Sequence, residues 1–478
     1  ARLFFGSACA TGAAWLGFAL IVNSAFGRAD NGDYGRFMAP FVAKPYGFEK
    51  NWPPPEPEAQ NDRFFQWWIP YWVPAQIDDA PYFGSSALFW WAGSALSRAL
   101  WGDAAVSLRM CGAVASIVLL GAYGLGMWSL RRGGQTRLAL FASAPLVLLT
   151  SLVLSDVSYG SFMNSYFQEG GSFVFLASLL AAGMYACGDG IRSARLPALA
   201  AAAFLFAAAR VQHGYVGVVL LVLILAHAIR QRPVGRGAWA GLVVSLIVSA
   251  GVMPASFYLN GHKHSRRNNA YHSLYFGILR HCEDPAAQLR AEELPEETIE
   301  LIGQPAYSDA AADLLASHHI RLAHRSTLRI AAREPTALVG LLREAAAHAG
   351  DIELNYLGMR PKGAVDYRAI PSGIGVWSRV RRAIIPRGDG LFAVLGVLIA
   401  GSVAVCVASQ SERLRGWGLL TLLFALISLL ELCASAVGDG LYEIDRHLFA
   451  SNLSLDLAIC VGVTLLLSLL LRRSIDRA

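Results

Sequence analysis

Long apolar runs recur along this chain and constrain its fold more than any other sequence feature. A run of about 18 or more apolar residues is long enough to cross the hydrocarbon core of a bilayer. Composition agrees, because only 15% of the 478 residues are charged, against about 25% in a typical soluble protein. The runs predict an all-α polytopic membrane protein with about ten transmembrane helices. They lie at roughly 3–26, 104–128, 138–155, 171–188, 196–209, 214–229, 237–258, 391–409, 417–437 and 450–471.

Two of these runs are weaker than the others. The run at 196–209 has only about 14 apolar residues before Arg210 interrupts it, so it and the run at 214–229 predict either two short helices or one broken helix. The first run is long enough to be a true span, and we expect no cleavable signal peptide.

The loops between the runs alternate in charge, which predicts the topology. One set is short and rich in arginine, and short basic loops stay in the cytoplasm. We therefore expect both termini in the cytoplasm of a bacterium and the opposite loops in the periplasm. The arginines of the basic set are Arg131, Arg132, Arg137, Arg192, Arg195, Arg230, Arg232, Arg236, Arg413, Arg415, Arg472, Arg473 and Arg477.

The long polar stretches divide the chain into three parts. Residues 1–258 form an N-terminal transmembrane module of about seven spans, and 391–478 form a C-terminal module of about three. Between them, 259–390 shows helical apolar spacing with charges and predicts a mostly helical periplasmic domain. The first outer loop, 27–103, is dense in tryptophan and tyrosine, which favour the headgroup level. We expect one or two helices of this loop to lie along the membrane surface.

The first candidate site follows directly after the first span, where the sequence reads RADNGDYGR from Arg28 to Arg36. Charges at the membrane surface are costly to desolvate unless they serve a site. A carboxylate there, Asp33 or Asp30, could take the proton of an acceptor hydroxyl in a group transfer. The alternative is a solvated turn, because Asn-Gly and Gly-Asp are ordinary turn formers.

Two further candidates lie in later outer segments. Tyr166 and Glu169 end a short polar loop whose rings and carboxylate suit sugar binding, although anchoring tyrosines at the interface are an alternative. Arg210 and His213 lie in the tight turn between the two weak spans. A guanidinium at that depth could hold a lipid phosphate through two parallel hydrogen bonds, although simple snorkelling to the interface is an alternative.

Basic residues form the last candidates. Arg266 and Arg267 follow the seventh span and could bind a lipid phosphate or merely contact headgroups, while Arg446 and His447 precede the last span and could close the site. Alternating charges at 443–447 could equally form a structural network. We see no clear metal-ligand set, so a divalent metal is possible but unsupported, and the basic charge does not indicate nucleic-acid binding.

The chain resembles the GT-C class of integral membrane glycosyltransferases, in which an acidic residue follows the first helix, as Asp30 and Asp33 do here. It is similar, more narrowly, to bacterial surface-glycan hexosyltransferase-type membrane proteins. That similarity is carried by stretches in several parts of the chain. They are 30–40, 271–279, Asp284-Pro285, 294–307, Asn355-Tyr-Leu-Gly358 and Arg446-His447.

The resemblance implies an inverting transfer of a hexose from a polyprenyl phosphate to a glycan, lipid or protein acceptor at the periplasmic face of the inner membrane. The acid after the first helix would be the base and arginines would hold the donor phosphate. We favour Asp33, because Gly32 beside it allows close approach of an acceptor while Asp30 can fix the following turn. The alternatives are a flippase or transporter for lipid-linked sugars and a glycan polymerase or ligase.

Overall fold

The computed structural model describes most of the chain, and the account that follows is confined to those residues. They are 1–30, 84–102, 106–132, 137–188, 190–191, 193–230, 263–317, 324–354, 356–361 and 373–475, with isolated residues and short pieces between these ranges.

The N-terminal half is built from helices, most of them apolar and joined by short turns. A Pro at the start of α7 suits a first helical turn, where no backbone N–H is needed. The helices are α1 (Arg2–Asn23), α2 (Ala87–Trp101), α3 (Leu108–Arg132), α4 (Arg137–Ser155), α5 (Val157–Gly160), α6 (Glu169–Cys187), α7 (Leu196–Ala207) and α8 (Val216–Arg230).

The C-terminal half begins with short helices of the central segment and ends with long apolar ones. A π-helical stretch, His272–Gly277, continues the first of these helices. The helices are α9 (Lys263–Tyr271), α10 (Pro285–Ala291), α11 (Asp309–Ser317), α12 (His324–Arg333), α13 (Pro335–His348), α14 (Val376–Ile384), α15 (Asp389–Ala408), α16 (Glu412–Asp439), α17 (Ile444–His447) and α18 (Phe449–Ile475).

A small antiparallel sheet, which the all-α expectation omits, joins two parts of the first long loop to residues that directly follow it. Its order is β1 (Lys44–Pro45), β2 (Tyr71–Val73) and β3 (Val106–Ser107), with Tyr71 opposite Ser107. The same loop also contains α2, as its aromatic density predicts. One side of α2 packs on α3, while Leu88, Trp91 and Leu100 on the other side are exposed, as lipid contact would require.

Six helices of the described residues are long and apolar enough to cross a membrane, and a seventh span results if α4 and the bent segment after it are counted together. The bend, of 51°, falls at Asp156. The two weak runs form the shorter helices α7 and α8, separated by a turn, so the expectation of a short pair is confirmed. Most of 237–258 lies outside the described residues, and the total of about ten spans stays a prediction.

The long helices pack into one bundle. Helix α16 lies along α18 and α15, α1 packs on α4, and α3 packs on α6. Helix α14 of the central segment is fastened to this bundle by Arg381, whose Nε donates to Asp456 of α18 at 2.9 Å. We call the end of the bundle at which α6 begins and α16 ends the polar end, because the candidate site residues lie there.

Candidate functional site

A cluster of buried charges lies at the polar end, and we call it the Glu169 cluster. Glu169 begins α6, where a carboxylate faces the positive end of the helix dipole. Arg210 Nη1 donates to Glu169 Oε1 at 2.9 Å, and Arg446 Nη1 lies 3.7 Å from the same oxygen. The two arginines are 236 positions apart in the sequence, and the fold brings both to one carboxylate. The cluster also includes Glu443 and His447.

Arg446 is held on three sides. Its Nη2 donates to Glu443 at 2.7 Å, and its guanidinium carbon lies 4.9 Å from the centre of the Phe167 ring. Glu443 has φ of 48°, a left-handed conformation that costs a residue with a side chain free energy. Strain of this kind persists only where surrounding contacts fix the backbone, so the loop before α18 is built to present Arg446.

His447 joins the other arginine to the loop. Arg210 Nη2 donates to His447 Nδ1 over 3.1 Å, and the other ring nitrogen lies 3.3 Å from Asp439 Oδ2. Burial, together with the charges of Arg446 and Arg210, lowers the pKa of His447 well below its usual value. The imidazole is therefore neutral near pH 7, which leaves Nδ1 free to accept from Arg210.

A second network fixes the turn that follows Arg210. Glu431 of α16 accepts from three residues of this turn, His213 Nδ1 at 2.5 Å, Gln212 Nε2 at 2.8 Å and the Tyr215 hydroxyl at 2.8 Å. His213 Nε2 lies 2.8 Å from Ser172 Oγ, and the ring is fully buried. Both ring nitrogens of His213 are thus used within the protein. The described contacts of His213 are therefore internal, and its predicted contact with substrate stays a prediction.

The π-helical stretch lies against the loop that carries Glu443. The ring of His272 stacks on Tyr442 with centroids 4.2 Å apart, and His272 Nε2 accepts from the Ala306 amide at 2.9 Å. Burial lowers the pKa of His272 to about 4, which keeps Nε2 unprotonated and able to accept. The 271–279 stretch and the Arg446-His447 pair, separate in the sequence, therefore meet at the polar end.

Residues 27–30, which follow the first span, run beside residues 356–359. The Gly27 and Ala29 amides donate to the carbonyls of Met359 and Gly358 at 3.2 and 2.8 Å. Asp30 is only 6% exposed, so the solvated-turn alternative does not describe it. Burial raises the pKa of the Tyr356 hydroxyl well above the usual value, and the nearby charges of Glu443 and Arg446 also affect it.

A small cleft opens between these pieces. Arg446, Asp445 and Asn452 contribute its polar groups. The rings of Tyr159, Phe162 and Phe449 supply much of the apolar wall. This cleft adjoins the Glu169 cluster through Arg446.

The predicted site residues are not all placed alike. Tyr166 is buried next to Phe167, the ring that Arg446 contacts. Its burial excludes an anchoring role at the membrane interface. Arg210 is bonded inside the protein and is 9% exposed, so it does not snorkel. Arg267 is partly buried in α9, and among the contacts of the described residues none joins it to the Glu169 cluster. Asp33 and the side chain of Arg266 lie outside the described residues.

Comparison with known proteins places the chain in a family. The family model described as "YfdI N-terminal transmembrane domain" matches residues 12–476, nearly the whole chain. The chain belongs to this family. No curated protein and no solved structure matches it significantly. Family membership and the apolar helices together show a multi-pass membrane protein, while the topology and the three-part division of this family member stay predictions.

Several residues at the polar end were not among the predicted site residues. Three of them are in or next to stretches that carry the resemblance, namely Arg28, Tyr356 and His272. Nothing in the sequence indicated the contacts that these residues make. Glu431 gave one, because an acid inside an apolar run is a functional candidate. Among the residues that the structure describes, no group of three or more His, Cys, Asp or Glu side chains could hold a metal ion.

Proposed function

We propose that this protein is a glycosyltransferase that moves a hexose from a polyprenyl phosphate to a glycan, lipid or protein acceptor at the periplasmic face of the inner membrane. One observation carries the proposal. Two buried arginines, Arg210 and Arg446, converge on Glu169 at one end of a membrane bundle, beside a cleft. Guanidinium groups are the residues of choice for phosphate recognition, and a lipid-linked donor must present its phosphate at an end of the bundle.

The chemistry assigns a part to each group. A carboxylate, Asp33 in our assignment, takes the proton from the acceptor hydroxyl as its oxygen attacks the anomeric carbon. The bond from that carbon to the phosphate oxygen breaks, and polyprenyl phosphate leaves with both electrons. Arg210 and Arg446 stabilise the negative charge that develops on the leaving phosphate, as fixed donors do in other group transfers. The resemblance to the GT-C class implies that the transfer inverts the anomeric centre.

Other observations support the same assignment. The family is associated with membrane glycosyltransferases. Gly27 and Ala29, at the start of the segment after the first span, pair with Met359 and Gly358, close to Tyr356, whose hydroxyl is influenced by the charges of Glu443 and Arg446. The buried charges of the Glu169 cluster gather at one end of the bundle, whereas a transporter places its polar groups near the midplane. The base, the phosphate ligands and the cleft would then share one end.

A transfer assay tests the proposal directly. Purified protein in proteoliposomes would receive radiolabelled hexosyl polyprenyl phosphates, with glucose, galactose and mannose in parallel, and isolated cell-envelope glycan as acceptor. We expect label to pass to the acceptor and polyprenyl phosphate to be released. Asp33→Asn keeps the shape but removes the basicity, so transfer should fall by roughly 100-fold or more. Asp30→Asn should cost less, and Asp309→Asn on the exposed side of α11 should cost nothing.

The outcomes separate the alternatives. Movement of labelled lipid across the bilayer without transfer would indicate a flippase. Normal transfer in both Asp33→Asn and Asp30→Asn would remove the acid–base mechanism from this segment, and loss in Asp30→Asn alone would exchange the two aspartates. Joining of glycan units without use of a hexosyl polyprenyl monophosphate would indicate a polymerase or ligase.

A further inference from the structure

Arg28 is a buried cation whose hydrogen-bonding capacity is largely unused. Arg28 is only 2% exposed, and its Nη2 lies 3.4 Å from the Ser158 carbonyl oxygen. Its guanidinium carbon lies 5.2 Å from the centre of the Phe162 ring. In the part of the chain that the structure describes, Nε and Nη1 are buried and have no hydrogen-bond partner. Buried charges in proteins are ordinarily paired and hydrogen-bonded.

The carboxylates whose charges affect the pKa of Arg28 already accept hydrogen bonds from other groups. Asp156 accepts from the Ser158 amide at 2.9 Å and from the Ser378 amide at 2.8 Å. Glu353 accepts from Arg382. Burial lowers the pKa of Arg28 to about 10, and the charges of Tyr356, Glu353 and Asp156 offset this only in part. Among the residues that the structure describes, this guanidinium is therefore short of a counter-ion.

In contrast to Arg28, the arginines of the Glu169 cluster are paired with an equal number of carboxylates. Arg210 and Arg446 face two carboxylates, those of Glu169 and Glu443, at distances from 2.7 to 3.7 Å. Two positive charges thus meet two negative ones. An anion that enters the polar end would compete with a carboxylate at either of those arginines. At Arg28 it would meet a cation with unused donors.

Arg28 is also close to the cleft. Phe162, the ring under its guanidinium, is part of the cleft wall, and Arg446 is another part. Tyr356 lies near both arginines. Its hydroxyl affects the pKa of Arg28, and the charge of Arg446 affects the pKa of Tyr356. A tetrahedral anion beside Arg28 could accept from Nε or from Nη1, in either case together with Nη2, whose contact to the Ser158 carbonyl is long. Such a pair of parallel donors suits phosphate oxygens.

We propose that Arg28 is an anion-binding residue beside the cleft and that its ligand is a phosphate group. The phosphate can belong to a lipid headgroup or be free in solution, and the lipid case rests on the proposed function. Arg28 would then be the group that makes the first contact with the phosphate, while Arg210 and Arg446 are released from their carboxylates only as more negative charge develops.

The test uses thermal unfolding of the full-length protein in detergent micelles, with farnesyl phosphate, farnesol and inorganic phosphate as probes. We expect farnesyl phosphate to raise the midpoint of wild type, and farnesol to leave it nearly unchanged. Arg28→Met should abolish the shift. Arg28→Lys should keep a smaller one, with binding about tenfold weaker, because an ammonium cannot form the fork. The matched control is Arg132→Met, which removes an arginine that lies 4.7 Å from the Trp128 ring at the far end of α3.

A second readout separates ligand binding from a structural role. Removal of an uncompensated buried charge is neutral or stabilising, whereas removal of a structural partner destabilises. Without ligand, Arg28→Met should therefore unfold at the same temperature as wild type or higher. A lower midpoint, or failure to fold, would show that Arg28 holds the structure and would overturn the proposal.

The remaining outcomes are also decisive. A full farnesyl phosphate shift in Arg28→Met, or no shift in wild type with either phosphate, would overturn the proposal. A shift with farnesyl phosphate alone would identify a lipid headgroup as the ligand, and an equal shift with inorganic phosphate would identify free phosphate. Phosphate binding that depends on Arg28 in a protein that transfers no sugar would leave this proposal standing and overturn the proposed function.

Discussion

Two fully buried arginines, Arg381 and Arg28, lie in opposite electrostatic circumstances. Arg381 donates to Asp456 at 2.9 Å, to Asn452 at 2.9 Å and to the Ala349 carbonyl at 2.7 Å. Burial acts to lower its pKa, but the charge of Asp456 and these contacts raise it above the usual value. Arg28 has one long contact to a carbonyl, and burial lowers its pKa.

The difference shows that burial alone does not identify a site. Around Arg381, Asp456 also accepts from the Tyr159 hydroxyl at 2.7 Å and from Trp377 Nε1 at 2.6 Å, so the Arg381 guanidinium and the Asp456 carboxylate are both satisfied by described residues. We call it the Asp456 anchor, because it fastens α14 to α18. The polar end instead combines strained backbone, a neutral buried histidine and unused donors. We therefore assign the first region to stability and propose the second as the site of a ligand.

The largest expected effect is on the Asp456 anchor. Arg381→Met removes the cation and leaves Asp456 as an uncompensated buried charge, which should lower the free energy of unfolding by about 3–5 kcal/mol. Chemical unfolding in detergent micelles measures this. The neighbouring Arg382→Met should cost about 1 kcal/mol or less, because Arg382 is 42% exposed in its pair with Glu353. Equal effects of the two changes would contradict the distinction between the regions.

Acid should loosen the polar end through its histidines. Because the pKa of His272 is lowered to about 4, below pH 6.5 the unfolded chain binds a proton there that the folded protein does not. The free energy of unfolding should therefore fall as the pH is lowered from 6.5 to 4, by at most about 1.4 kcal/mol per pH unit from this residue. Unfolding curves across this window should be less steep in pH for His272→Gln. An unaltered pH dependence in that variant would remove His272 from the effect.

The two glycines at the end of α16 test how closely the polar end is packed. A Cβ at Gly440 would lie 2.3 Å from the His272 carbonyl oxygen, and Gly440 has φ of 60°. Gly440→Ala should therefore cost about 1–3 kcal/mol of unfolding free energy and shift His272 against Tyr442. Gly438→Ala is the control, since a Cβ there meets nothing within 4 Å. Similar melting temperatures for both variants would show that the loop adapts freely.

The smallest expected effect is on binding alone. Arg210→Lys keeps the charge but replaces the planar guanidinium, which donates to Glu169 and His447 at 2.9 and 3.1 Å, with a compact ammonium that lacks the fork. Donor use, measured as kcat/KM in the transfer assay, should fall about tenfold while stability changes little. If Arg210→Ala and Arg446→Ala both leave kcat/KM for the donor unchanged, these arginines do not belong to the site.

Several site residues could be placed from the sequence because local rules govern them. Glu169 and Arg210 were recognisable as charges at the margins of apolar runs, where desolvation is costly, and both lie in the Glu169 cluster. Arg446 was recognisable in the last loop. The part played by Arg28 could not be predicted, since an arginine after a span is ordinarily solvated. Its burial depends on Phe162 and Ser158, more than 120 positions away.

The sequence by itself determined the membrane-spanning character, the positions of the main helices and the turn between the two short ones, because hydrophobic length and helix breakers act locally. Only the tertiary structure decided which charges meet. Glu431 reaches across to His213, and Arg446 reaches back to Glu169, through contacts between helices distant in the chain. Buried charges must find partners wherever the packed helices bring them together, and that packing has no local signature in the sequence.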